Sequence, residues 1–194
     1  MDMKEKSWSL RKRGRWRQGS IRLLNVKLLF FAILIILPWF SACAKDAQSP
    51  KPPIVLPFAV EKAGNKVETE MRIVEHREYT FSLQFSYKEG DQADRARVKR
   101  LVGDDMQDKN GDPGIPTPLK LKVSVIEPAG GRVIVDKEIQ KLRLRSWGGD
   151  SFDKHIDYIK LEPGHYRVSI ESLQDAPDLT GIPVALVISA NKPK

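Results

Sequence analysis

One cysteine (Cys43) and three histidines (His76, His155, His165) are few soft ligands for a chain of 194 residues. A single cysteine excludes an internal disulfide framework. No histidine pair has metal-ligand spacing such as H-x-x-x-H, and no second cysteine completes a zinc site, so no metal centre is expected. No G-x-S-x-G or other familiar nucleophile motif occurs, and no catalytic residues are assigned. His155 and Asp157 lie two apart, which places them on one face if the segment is a regular strand. An orienting pair for acid–base work is conceivable there, but an exposed polar pair is the commoner reason for such a spacing. No unit of about 20–50 residues recurs, which argues against a solenoid. The longest unbroken apolar run, Leu28–Leu37, has ten residues, where a spanning helix needs about 20. Even Leu28–Ala44 is seventeen residues with Pro38 inside.

Charge is abundant but uneven. The formal net charge is +8, yet nine of the 33 Lys and Arg fall in residues 1–42 against two of the 25 acids. The remaining 24 basic and 23 acidic residues nearly cancel. The basic excess is therefore a topology signal beside the apolar run. It is not read as a nucleic-acid-binding arm, and no nucleic-acid partner is expected.

The run Leu28–Leu37 has the length of a signal-peptide apolar region. Ser41 and Ala42 then put small residues before Cys43. "WFSAC" resembles the lipobox of bacterial lipoproteins, with Phe40 where that family usually carries an aliphatic residue. The resemblance implies cleavage before Cys43, acylation of its thiol, and anchoring to a membrane through lipid. Ala44 after the cysteine resembles lipoproteins sorted to the outer membrane; the inner membrane, with an uncleaved single span, is the alternative. The basic n-region is long. If translation starts at Val26, the segment becomes a lipoprotein signal of ordinary length and residues 1–25 an extension.

Residues 43–53, "CAKDAQSPKPP", are small, polar and proline-rich, and read as a tether. The domain is assigned to residues 54–194. Its clearest signal is "YTFSLQFSY", in which Tyr79, Phe81, Leu83, Phe85 and Tyr87 alternate with small or polar residues. This places the large side chains on one sheet face and predicts that the other is wet. "IVLPFAV" reads as an edge strand because of Pro57. "KVETEMRIV", "LKLKVSVIE", "RVIVDKEI", "KLRLR", "HIDYIKLE", "HYRVSIE" and "IPVALVISA" read as further strands, the second and third of these as a hairpin. "DQADRARVKRLVG" is the only helix candidate. Asp91 is its cap, Asp94 completes a capping box, Gly103 is its stop, and Arg95, Arg97, Lys99 and Arg100 form its solvated face. About eight or nine short strands with one short helix define a mainly β domain, a single Ig-like β-sandwich behind an N-terminal apolar signal or anchor helix. "LEPGHYRVSI" resembles the Ig-like segment in which a tyrosine after a bend, here Tyr166, hydrogen-bonds a nearby backbone group.

Two loops attract attention. "DKNGDPG" sets Asp108, Asn110 and Asp112 at alternate positions, as calcium loops do. Pro113 and Leu119 then stand where such a loop needs Gly and Glu, so a solvated turn is the stronger reading and no cofactor is expected. "SWGGDSF" carries Trp147, the only tryptophan after Cys43, and Phe152. Aromatics beside glycines can form a partner-binding tip, so Trp147 and Phe152 are the candidate contact residues for a protein partner.

"VETEMRIVEHREYTFSLQFSY", "DRARVKRLVGD" and "PLKLKVSVIEP" together resemble a domain-of-unknown-function family of small proteobacterial lipoproteins. The resemblance covers most of the chain from Ile54 onward and carries no activity to any residue. The expectation is a non-enzymatic, membrane-anchored periplasmic protein-binding module. Analogy with small periplasmic lipoproteins extends this to an immunity-type role. An envelope structural or assembly factor is the alternative.

Overall fold

The computed structural model describes residues 49–104, 111–128 and 130–191. The signal segment, Cys43 and the first half of the tether lie outside the described residues. Among the described residues, no helix is long and apolar enough to cross a membrane.

Among the described residues there are nine strands and one helix. In chain order these are β1 (Ile54–Pro57), β2 (Lys66–Ile73), β3 (Arg77–Ser86), α1 (Gln92–Val102), β4 (Leu119–Val125), β5 (Arg132–Ile139), β6 (Arg143–Trp147), β7 (Ser151–Leu161), β8 (Gly164–Ser172) and β9 (Val184–Ala190). A 3-10 turn, Pro177–Leu179, precedes β9. One sheet has the order β1-β9-β3-β7-β6 and the other β2-β8-β4-β5. Every neighbouring pair is antiparallel. β1 is an edge strand, as Pro57 demands, because proline has no N–H to give a second neighbour.

The alternating residues of β3 drive the packing. Tyr79, Phe81, Leu83 and Phe85 stand opposite Ala190, Ile188, Leu186 and Val184 of β9. In the second sheet, Leu121 and Val123 stand opposite Ile170 and Val168. The apolar rows of both sheets belong to one buried cluster. Burying such side chains contributes roughly 1.5–3 kcal/mol each.

The other face of β3 is not wet. Thr80 and Ser82 are buried, because β3 is central and these short side chains lie beside the larger Tyr158 and His155 of β7. The Thr80 hydroxyl donates to Asn191 Oδ1.

The helix forms as its caps direct. Asp91 Oδ1 accepts from the N–H groups of Ala93 and Asp94, at 3.1 and 3.0 Å. Asp94 does not close a capping box. Its carboxylate instead accepts from Lys88 N–H at 2.8 Å and pairs with Arg97. These contacts, the Lys88 N–H first, hold the Asp94 carboxyl below its usual range. At the other end, Gly103 and Gly114 both have positive φ, +88° and +67°. They let two backbone segments touch: Ile115 N–H donates to Leu101 O at 2.7 Å, and Asp104 N–H to Asp112 O at 2.8 Å. A Cβ at either glycine would lie within 2.5 Å of that opposing backbone.

Two tyrosines brace the crossings between sheets. Tyr166 Oη donates to Glu162 O at 2.8 Å, the role its place after the Pro-Gly bend predicts. Tyr79 Oη makes the same four-residue reach to Glu75 O, at 3.1 Å. His76 Nδ1 contacts Glu162 Oε1 at 2.8 Å and ties the two crossings together. Burial raises the pKa of both phenols.

Candidate functional site

The β6–β7 hairpin is shorter at its tip than the sequence suggests. β6 runs to Trp147 and β7 starts at Ser151, so only Gly148, Gly149 and Asp150 form the turn. Gly148 N–H donates to Ser151 O at 2.9 Å and closes it. Tyr87, just past β3, locks the turn from outside the hairpin. Its hydroxyl is shared between Gly148 O and Gly149 O, both at 3.0 Å. Its own N–H donates to Asp150 O at 2.9 Å.

Arg95 completes the lock from α1. Its Nε–H donates to Tyr87 Oη at 3.3 Å. Its guanidinium lies 5.9 Å from the Tyr87 ring centroid and 5.6 Å from that of Phe152. Such stacking is worth about 0.5–1 kcal/mol where solvent reaches it. Arg95 therefore leaves the solvated face assigned to it from sequence and becomes a lid over two aromatic rings.

The candidate contact pair divides. Trp147 is 58% exposed, whereas Phe152, its partner in register, is 1% exposed. Phe152 packs against Tyr87, with ring centroids 5.2 Å apart. Of the two, only Trp147 presents itself to solvent, on a tip that Phe152 helps to hold.

Two β-bulges shape the outer face behind this tip. One in β7 leaves Ile156 without a partner, so His155 stands opposite Ser82 but Asp157 opposite Phe81. Successive residues of β3 point to opposite faces, so His155 and Asp157 do not share one, contrary to their spacing. Asp157 Oδ2 pairs with Lys137 Nζ of β5 at 2.6 Å. His155 stacks on Tyr158, with centroids 4.0 Å apart. Burial, then the positive charge of Arg145, pushes the His155 pKa down. The residue sharing its face is Asp153. Asp153 Oδ2 accepts from Ser146 Oγ at 2.8 Å, while Asp153 Oδ1 and His155 Nδ1 are buried without a hydrogen-bond partner.

The second bulge sits in β6 at Arg145. It turns that guanidinium to 5.6 Å from the Tyr158 ring centroid. Arg143 stands opposite His155. Arg143, Arg145, Trp147 and Tyr158 are all exposed.

Lys154 was not singled out in the sequence. It is 2% exposed, and its Nζ donates to Val102 O at 3.0 Å and Pro113 O at 2.8 Å. It ties β7 to the C-terminus of α1, where a cation complements the helix dipole. Its position among Phe152, Lys154 and Ile156, a cation in an apolar row, is the signal that finds it. Of the calcium-like loop, Asp108 and Asn110 lie outside the described residues. Asp112 Oδ1 accepts from Gly114 N–H at 2.9 Å, as a turn-forming aspartate does. Among the described residues, no three acids, histidines or cysteines gather as a metal site.

The four-stranded sheet bears a depression of about 500 Å³ lined by Lys66, Glu68, Lys122, Val125, Val133 and Arg167, among others. Lys66 and Arg167 there are already paired, with Glu68 at 2.6 Å and Glu70 at 2.7 Å. The hairpin is the better candidate because Arg143 and Arg145 enter no ion pair among the described residues.

The fold and site define a mainly β domain whose distinguishing feature is a braced, aromatic hairpin tip. The chain belongs to the family described as "Domain of unknown function (DUF5625)", which matches residues 55–190. No curated protein matches the chain. Among solved structures, a crystal structure of a protein from Sulfurospirillum deleyianum is similar over 73% of this chain and 98% of that one. Its TM-score is 0.61 and its identity 23%, a likeness of fold alone.

Proposed function

We propose that this protein is a non-enzymatic binding module, lipid-anchored at Cys43 in the bacterial envelope, whose β6–β7 tip engages a protein partner. The observation that carries the reading is Trp147: a large indole left 58% exposed on a turn held by Tyr87 and Arg95. Tryptophan is the residue type most enriched where interfaces concentrate their binding energy. A turn fixed before binding loses little entropy when a partner arrives.

The test is a photo-crosslinking residue placed at 147 in cells, with one at Val133 on the other sheet as control. A discrete protein adduct from position 147 and none from 133 supports the reading. Adducts from 133 alone, or from neither, refute it.

The scaffold for this tip is, in our reading, an Ig-like β-sandwich. The apolar rows of both sheets share one cluster, and Tyr166 makes the expected bond at its bend. Nuclear Overhauser contacts between methyls of β3 or β9 and those of β4 or β8 test face-to-face packing. For the anchor, the intact mass of membrane-extracted protein should equal residues 43–194 plus acyl chains, and Cys43→Ala should abolish that species. An unmodified full-length mass refutes lipidation in favour of an uncleaved span. Outer-membrane sorting is the expectation from Ala44, read by fractionation.

A further inference from the structure

Arg143 and Arg145, the cations of β6, enter no ion pair among the described residues. Ion pairs among the described residues engage Lys66, Arg77, Arg97, Lys120, Arg132, Lys137 and Arg167. Lys141, Arg143 and Arg145, at alternate positions along and just before β6, enter none of them. All three are exposed. Arg145 is steadied by the Tyr158 ring, which is itself stacked on His155. Trp147 ends the same strand.

We infer that the Arg143 and Arg145 guanidinium groups, on the face of β6 opposite to Trp147, receive an acidic, extended segment of the protein partner through its carboxylates. The inference deepens the binding reading above and rests on it. Guanidinium forks match carboxylates in pairs of parallel hydrogen bonds, and arginine loses less entropy per bond than lysine. An anionic membrane is the poorer occupant. Interfacial docking draws on several apolar side chains projecting together, and here Phe152 is buried beneath Arg95, leaving Trp147 alone at the tip.

The experiment uses the full-length protein in phosphatidylcholine nanodiscs. The probe is a synthetic peptide rich in Glu; the control replaces each Glu with Lys. The acidic peptide is expected to shift the amide resonances of Arg143, Arg145 and Tyr158. Raised salt should weaken binding. R143E/R145E should weaken it by about tenfold or more, R143K/R145K by less, since charge is kept and the fork lost. These are exposed side chains, so an unchanged amide spectrum elsewhere establishes that the variants fold. Equal binding of the acidic peptide to R143E/R145E overturns the inference, as does absence of binding. So does perturbation of the same residues by phosphatidylglycerol nanodiscs without peptide. If a cellular crosslink from position 147 persists in R143E/R145E, the binding module stands and the acidic partner falls. If no crosslink forms from 147 at all, both fall.

Discussion

Tyr87→Phe isolates what holds the tip. The substitution keeps the ring that packs 5.2 Å from Phe152 and under Arg95. It removes one hydroxyl, with its shared bond to Gly148 O and Gly149 O and its acceptance from Arg95. A net hydrogen bond is worth roughly 0.5–1.5 kcal/mol, and stranding a buried partner costs about 1–3 kcal/mol. Gly148 and Gly149 are exposed, so water takes over their carbonyls and the stranding cost does not arise. The expected global loss is therefore about 1 kcal/mol, measured by urea unfolding. The local effect is larger in kind. With its outside brace gone, the turn is held only by Gly148 N–H to Ser151 O and Tyr87 N–H to Asp150 O. Amide exchange at Gly148 should accelerate, and Trp147 fluorescence anisotropy should drop. Trp147→Ala is the counterpart: stability within about 0.5 kcal/mol of wild type, as for exposed positions generally, with co-purification of the partner identified by the position-147 crosslink lost. Tyr87→Phe with wild-type anisotropy and exchange would show that the hydroxyl does not brace the tip. A loss above about 3 kcal/mol would place it in a buried network instead.

Other expectations follow from the packing. Gly114→Ala should cost about 3 kcal/mol or more by urea unfolding. It adds the left-handed penalty of roughly 1–2 kcal/mol and drives a Cβ to 2.4 Å from Leu101 O, parting the bond from Ile115. Phe81→Ala, at 0% exposure in the central strand, should cost about 3–5 kcal/mol. His155 predicts a pH dependence. Its folded pKa lies below the ordinary value of about 6.5, so the unfolded chain binds more protons once pH falls below that value. Stability should be greatest above it, decline as pH drops toward the depressed folded pKa, and level off below both. His155→Gln should flatten the urea midpoint across that window; an unaltered slope would remove His155 as the cause.

The fold was readable wherever alternation ran unbroken. Tyr79 to Phe85 specified a central strand, Pro57 an edge, and Asp91 a helix start, because each rests on a local rule of backbone geometry. The failures occur where a third dimension enters. Thr80 and Ser82 read as solvent-facing, but burial depends on the neighbours β7 and β9, which pair with β3 from far along the chain. His155 and Asp157 read as a pair because spacing of two implies one face, and a single unpaired residue at Ile156 cancels that implication. Bulges leave no dependable mark in sequence, since they arise from the register of two strands together.

The site was half legible for the same reason. Trp147 beside two glycines is a local pattern, and its exposure follows from the turn. Phe152 sits in the same stretch of sequence, yet one step of register commits it to the core. Arg95 illustrates the limit more sharply. As one of four basic residues on a short helix, nothing local separates it from Arg97, Lys99 or Arg100. Its role comes from Tyr87, just past β3, and Phe152 of β7 meeting under it. Arg143 and Arg145 enter no ion pair among the described residues, and Arg145 meets the Tyr158 ring only through the bulge, which is a property of the assembled sheet. A surface that recognises a partner is built from residues already placed by the core, so its members need satisfy no periodicity of their own. The strands could thus be drawn from the sequence, while the cation strip beside Trp147 emerged only when β6, β7 and α1 were brought together.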